Sequence, residues 1–389
     1  MRQVALVLVA AAVLAVPQAA AKPIAPTKLL AFVGSGRDVS VVKVDASTLK
    51  PASRTARVGL ANPSFVGRFV GRVAIADGAA SLRFLDLESM RWAGRVTYPG
   101  VPTAAVWNFA DKLVTLNQAS TAEVIVVDPT RHRLTASRNL GGAAVVAAVS
   151  RDHIVAVLAP LAGIGPSRLA VVDDRGRVRT APLPQIVSGS QMHDNGQTWT
   201  FAYPALAVDP RGTETVVVGT DGTTVDVNVE TLTTSVHAVR SLASARKQAN
   251  GSTRIAAWLG SGIVAVTGLD ASYDATGQHG TPAGLTFLDT RTWTSRTLDT
   301  TTIGIDVAVE NYLVLAYGDK TGVNLYDQSG KLRGHFLDGT STRAACVAGS
   351  RAYLGEGTHF TIVDTMSGEV VRTVDTAKPT VLASLWPVF

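Results

Sequence analysis

The chain has 389 residues, a formal net charge of +6 and a charged fraction of only 17%. Its basic residues are scattered singly or in pairs, with no Lys/Arg cluster interleaved with aromatics, so it carries no nucleic-acid footprint. Cys346 is the one cysteine, which excludes an internal disulfide; stability has to come from burial and from sheets that close on one another.

Residues 1–21 read as a secretory signal peptide. Arg2 supplies the positive start, 4–16 form an apolar core too short for a comfortable membrane span, and Ala19-Ala20-Ala21 gives the small-residue cleavage pattern before Lys22. An uncleaved signal anchor is the alternative. No cysteine follows the apolar core, so no lipid attachment is expected there, and no later segment is long and apolar enough to span a bilayer. Secretion, to the exterior or the cell envelope, is the expected location. Loss of Arg2 takes the charge from +6 to +5. That mild excess suits an anionic cell surface, although an ordinary solvated surface explains it as well. Residues 22–28 are a short linker, and 29–389 form one repeat domain.

From residue 29 onward an alternating apolar run that ends on an acid recurs eight times. The acids are Asp45, Asp86, Asp128, Asp173, Glu230, Asp289, Asp327 and Asp364. A period of about 40 residues or more, each unit a few short strands, points to a β-propeller. Each repeat reads as four strands, a to d outward from the axis. In repeat seven these are the runs at Asp306, from Tyr312, before Asp327 and from Lys331. The acid that ends strand c accepts backbone N–H bonds two residues on, in an Asx-turn into strand d, so the row of acids is scaffold and not catalysis. Inner strands are rich in alanine, at 143–149, 255–258 and 343–346, as the narrow end of a wedge-shaped blade requires.

The first repeat begins with strand b, and residues 381–389 read as a lone inner strand. The expected architecture is therefore all-β: a closed β-propeller of four-stranded antiparallel blades, eight in number, with the last blade completed by both termini. Seven blades, with the fifth repeat an insertion, is the alternative. Strand ends such as Val44-Asp45-x-x-Thr48 resemble the bacterial extracellular propellers with Tyr-Val-Thr-Asn-type repeats and, more distantly, WD-repeat propellers, although the Trp-Asp dipeptide is absent. That resemblance implies a propeller fold and an extracellular setting, and no particular activity.

Four segments exceed a tight turn: 160–167, 184–197, 241–252 and 268–284. By strand lettering the first and last join b to c and the middle two join d to a, so all four leave the ring on one face. Long loops on a rigid scaffold concentrate binding residues. The candidates are His193, Asp194 and Trp199 in the second segment and Asp270, Tyr273, Asp274 and His279 in the fourth. The third adds Arg246, Lys247 and Asn250. Trp199 and Tyr273 suit stacking on a sugar or aromatic ring, or anchoring of their loops. Arg254 and Arg343 start two inner strands in matching positions, where a guanidinium fork would meet a carboxylate or phosphate at the channel mouth; snorkelling to water is the other reading. Two histidines and three aspartates are donors suited to zinc or calcium, but none has close ligand spacing, so no resident metal or cofactor is expected and a divalent ion on the loop-rich face stays open.

Asp194-x-Gly196-x-Thr198-Trp199 resembles a single copy of the Asp-box turn of sialidases, departing from it at Met192, where that motif has Ser or Thr. In that family the box is structural and joins c to d, which conflicts with the d-to-a position here. Gly-x-Ser-x-Gly, His-Glu-x-x-His and a phosphate-cradling glycine loop are absent. The vicinal cysteine pair usual in eight-bladed quinoprotein dehydrogenases is absent too. Asn250-Gly251-Ser252 forms a glycosylation sequon. The reading is a secreted, monomeric binding or interaction module for a protein, glycan or small molecule. The alternative is an extracellular hydrolase or lyase acting on a glycan or lactone at the channel mouth.

Overall fold

Short runs of Val, Ile, Leu and Ala punctuated by Gly, Asp and Asn build a chain of strands, with no helix among the described residues. The structure is a computed structural model that describes residues 24–383 apart from 59–63, 70–71, 77–80, 98–100, 110–111, 119–120, 151–152, 194–198, 240–249, 275–276, 309–312 and 341–343. Residues 1–23, which hold the expected signal peptide, and 384–389 therefore lie outside the described residues.

The first repeat supplies β1 (Lys28–Val33), β2 (Ser40–Asp45) and β3 (Pro51–Arg57). The second supplies β4 (Ser64–Phe69), β5 (Arg72–Ala76), β6 (Ser81–Asp86) and β7 (Arg91–Thr97). The third supplies β8 (Val101–Phe109), β9 (Lys112–Gln118), β10 (Ala122–Asp128) and β11 (Arg133–Asn139). The fourth supplies β12 (Ala143–Val149), β13 (Ile154–Ala159), β14 (Ile164–Val172) and β15 (Val178–Met192), followed by an extra strand, β16 (Trp199–Tyr203). The fifth holds β17 (Ala205–Val208), β18 (Glu214–Val218), β19 (Thr224–Asn228) and β20 (Thr234–His237). The sixth holds β21 (Gly251–Gly260), β22 (Ile263–Asp274), an extra β23 (Gly277–Pro282), β24 (Leu285–Asp289) and β25 (Thr294–Asp299). The seventh holds β26 (Thr302–Ala308), β27 (Leu313–Gly318), β28 (Val323–Asp327) and β29 (Leu332–Phe336). The eighth holds β30 (Ala344–Ala348), β31 (Arg351–Glu356), β32 (His359–Asp364) and β33 (Val370–Asp375), and β34 (Thr380–Ala383) follows.

The arrangement is a β-propeller. Among the described residues, six sheets are four-stranded, and a ten-stranded sheet contains two further four-strand runs, β12 to β15 and β21-β22-β24-β25. β34 pairs antiparallel with β1, Leu30 opposite Ala383 and Val33 opposite Thr380, so strands from the two ends of the chain share one sheet. Apolar seams fill the spaces between neighbouring sheets. One seam packs Val155, Leu169 and Val171 of repeat four on Leu206, Val217 and Val225 of repeat five. Each such side chain, fully buried, contributes about 1.5–3 kcal/mol.

The turn acids do what the sequence predicts, with one correction. Asp45 accepts the amides of Ser47 and Thr48 at 3.0 and 2.8 Å. Asp128, Asp173, Asp289, Asp327 and Asp364 each accept the amide two residues on, and Asp86 accepts that of Ser89. In repeat five the acceptor is Asn228, bonded by the amides of Glu230 and Thr231, and not Glu230 itself. Strand c ends two residues earlier than the acid suggests, and an asparagine oxygen serves as well as a carboxylate.

A second device sits in the same turns. Leu49, Met90, His132, Leu232 and Trp293 have φ between 51° and 60°, each four residues after its turn acid or Asn228. A side chain in this left-handed region costs about 1–2 kcal/mol. Each is held by contact with the preceding repeat. Leu49 packs with Tyr353 and Phe360, Met90 with Val39 and Val41, and Trp293 lies flat on His237 with ring centroids 3.5 Å apart. These residues rivet five of the repeats to their predecessors.

At the axis, one register position can be followed around the sheets. It is occupied by Ala383, Gly67, Trp107, Ala148, Ala207, Ala257, Asp306 and Cys346. Ala and Gly fill five of the eight, as the narrow end of a wedge demands. Trp107, and Asp306 and Cys346 in neighbouring sheets, interrupt the pattern.

Candidate functional site

The long segments 160–167, 184–197 and 268–284 come together in one sheet, and so do the described residues of the fourth, 250–252; in 184–192 and 268–284 most described residues extend strands. β15 continues through 184–192, where a loop is expected, and pairs with β16 from Gly189–Ala202 to Met192–Trp199. β16 in turn runs parallel to the start of β21, with Phe201, Ala202 and Tyr203 opposite Gly251, Ser252 and Thr253. β22 overshoots its sheet and folds back as β23, so 268–284 form a hairpin and not an open loop. The result is a bridge, β14-β15-β16-β21-β22-β23, that links repeat four directly to repeat six past repeat five. Gly189 makes the kink possible. Its φ of +126° suits glycine, and a Cβ there would press into the Gly163 carbonyl.

Strand alternation gives the bridge two chemically different faces. One carries Ser252, Arg254 and Asp270. Arg254 Nη1 donates to Asp270 Oδ1 at 2.9 Å, and Ser252 Oγ donates to the same oxygen at 2.8 Å. The side chains of the ion pair are only 1% and 6% exposed. Arg254 also donates to the Thr220 carbonyl of repeat five at 3.4 Å, so this face sits on the β18–β19 turn. Arg254 is therefore no open donor at the channel mouth, and Asp270 is no solvent-facing ligand; each neutralises the other in a dry interior, where a lone charge would be costly.

The opposite face carries Ser190 and Met192 of β15, Trp199, Phe201 and Tyr203 of β16, Gly251 and Thr253 of β21, Leu269 and Ala271 of β22, and Gly280 and Pro282 of β23. The Phe201 ring lies where a side chain on Gly251 would stand. The Phe201 and Tyr203 rings stack with centroids 5.2 Å apart. Met192 and Trp199 are 47% and 40% exposed.

The sequence candidates thus separate. Trp199 lies on the aromatic face. Asp270, Arg254 and His279 lie on the other by alternation, as does His193, whose Nε2 is 2.6 Å from Thr200 Oγ1. Asp194, Arg343 and the side chains of Tyr273 and Asp274 are outside the described residues, as are Arg246 and Lys247. The segment holding the single Asp-box match joins β15 to β16, between d and a, which is not that motif's place in its family. No group of three or more His, Cys, Asp or Glu side chains suited to a metal ion occurs among the described residues. Sequence reasoning missed Phe201 and Tyr203, although the alternation Trp-Thr-Phe-Ala-Tyr announces them.

At the axis, burial raises the Asp306 carboxyl to about 6. Burial, followed by the Asp306 charge, pushes the Cys346 thiol up to about 12, so it is a neutral packing group and not a thiolate nucleophile.

No family model matches the sequence, and no curated protein matches it. Solved structures do resemble the fold. Apo AztD from Citrobacter koseri shares 12% identity at a TM-score of 0.59, covering 92% of this chain and 98% of its own. Dihydro-heme d1 dehydrogenase NirN, in complex with DHE, shares 11% at 0.58, covering 95% and 77%. BamB from Moraxella catarrhalis shares 14% at 0.52, covering 80% and 87%. All three are β-propeller proteins. At such identities the likeness shows the fold alone.

Proposed function

We propose that the chain is a secreted, closed, eight-bladed β-propeller that acts as a binding module, with its ligand on the outer face of the bridge. Six four-stranded sheets, two four-strand runs in the remaining sheet, and the β1–β34 pairing support the blade count and the closure. The observation that carries the binding site is the convergence of the described parts of the sequence insertions into one sheet. A scaffold with short turns elsewhere has no structural need of this bridge, and a buried ion pair holds it rigid. The hydrolase or lyase alternative weakens at Asp270, which is buried and accepts hydrogen bonds from Arg254 and Ser252.

A photo-cross-linker placed at Met192 tests the reading against one at Thr130, in a c–d turn on the other rim. After incubation with the extracellular fraction of producing cells, adducts should form from position 192 and not from 130. Equal adducts from both, or adducts from 130 alone, would refute a site on the bridge.

A further inference from the structure

The geometry points to a carbohydrate platform: we infer that Trp199, Phe201 and Tyr203 stack on the C–H faces of an uncharged, extended glycan chain. The inference rests on the bridge being the ligand site and adds the class of ligand.

Three rings occupy alternate positions of one strand, so their Cα atoms span about 13 Å; the Phe201 and Tyr203 rings stack on one another, and each offers a ligand its outer face. A line of that length fits several linked sugars better than one small molecule. On the strands beside and beyond the stripe, Gly251 and Gly280 add no side chain to the face, which lets the Phe201 ring and the Leu269 side chain lie over them. Among the described residues the polar groups on this face include the hydroxyls of Ser190, Thr253 and Tyr203. No charged side chain lies on it among the described residues, whereas Arg254, Asp270 and His279 all lie on the other side. Rings interspersed with neutral hydroxyls match a ligand that alternates C–H patches with O–H groups. They offer nothing to an anionic polymer.

A peptide adding as a strand is disfavoured at the stripe for a separate reason. β16 is paired on both edges, to β15 and to β21, so it has no open backbone edge to offer. Recognition there has to use ring faces. The Arg254–Asp270–Ser252 cluster lies on the other face of the neighbouring β21 and β22 and ties together the hairpin beside the stripe.

Affinity electrophoresis of the full chain tests this, in native gels containing soluble starch, xylan, galactomannan or hydroxyethylcellulose. At least one polysaccharide should retard the protein. Trp199→Ala should weaken that retardation about tenfold, and Trp199→Phe, which keeps a ring, should recover most of it. Arg131→Ala on the opposite rim should change nothing. If no polysaccharide retards the protein while Met192 still cross-links a ligand, the glycan assignment falls and the bridge site stands. If retardation occurs but is the same in Trp199→Ala, the glycan binds elsewhere and both fall.

Discussion

Replacing Asp270 by Asn removes one half of the buried ion pair beneath the bridge. Arg254, 3% exposed, would keep its charge and lose the carboxylate oxygen that its Nη1 meets at 2.9 Å. Removing one partner of such a pair costs about 3–5 kcal/mol. Asparagine retains an oxygen for the Ser252 hydroxyl and the guanidinium, so a loss near the lower end, about 3 kcal/mol, is expected. The loss should be local. The bridge amides, such as Asn250 N to Ala271 O at 2.8 Å and Phe201 N to Asn250 O at 3.2 Å, depend on this contact, whereas the ring sheets do not. Hydrogen exchange read by mass spectrometry should show bridge peptides exchanging about 100-fold faster, the equivalent of that energy. Peptides from β27 and β28 should hold their rates. Replacing both partners, Arg254→Met with Asp270→Leu, should restore much of the protection, because apolar side chains of similar volume need no charge partner. Unchanged bridge exchange in Asp270→Asn would refute the lock, and an equal rise over every sheet would refute its being local.

Two further outcomes concern the ring. Asp327→Ala removes a carboxylate that accepts the amides of Ser329 and Lys331 at 2.9 and 3.0 Å, and thermal unfolding should show a loss of about 1 kcal/mol; an unchanged melting temperature would show that this acid is dispensable. Asp306 has its carboxyl raised from 3.8 to about 6, so the folded protein holds its proton more tightly than the unfolded chain, and stability should fall as pH rises from about 4 to about 6. Asp306→Asn should flatten that part of the profile and stabilise the protein above pH 6 by about 1–2 kcal/mol, less than the full shift implies because some water reaches the group; an unaltered pH profile would contradict the burial of a carboxyl at the axis.

The repeat was legible because its punctuation is local. An acid two residues before the amide it caps, at the end of an alternating run, can be read from a dozen letters. Glu230 misled because Val-Asn-Val-Glu offers two side-chain oxygens to one turn, and the nearer strand end wins. The left-handed turn residues were not legible: nothing local marks Leu49 or Trp293, whose strain is offset by the neighbouring repeat. The bridge was half legible. Strand lettering brought the insertions to one side, but Pro182, Pro184 and Gly189 made 184–192 look like loop, and its pairing partners lie elsewhere in the chain. Arg254 and Asp270 each looked available for a ligand in isolation, because a cross-strand ion pair depends on the hairpin register that sets them side by side.

In the proposed closed ring the two ends of the chain meet in one sheet, where β1 pairs with β34. Val33 and Thr380 are register partners there, and antiparallel neighbours stand about 4.5–5.5 Å apart at Cα, within reach of a disulfide. With Cys346→Ser removing the native thiol, the double replacement Val33→Cys and Thr380→Cys should oxidise to an intramolecular disulfide, read as a two-hydrogen mass loss in the monomer with a raised melting temperature. Two thiols that remain free, or that link one molecule to another, would contradict the closed ring.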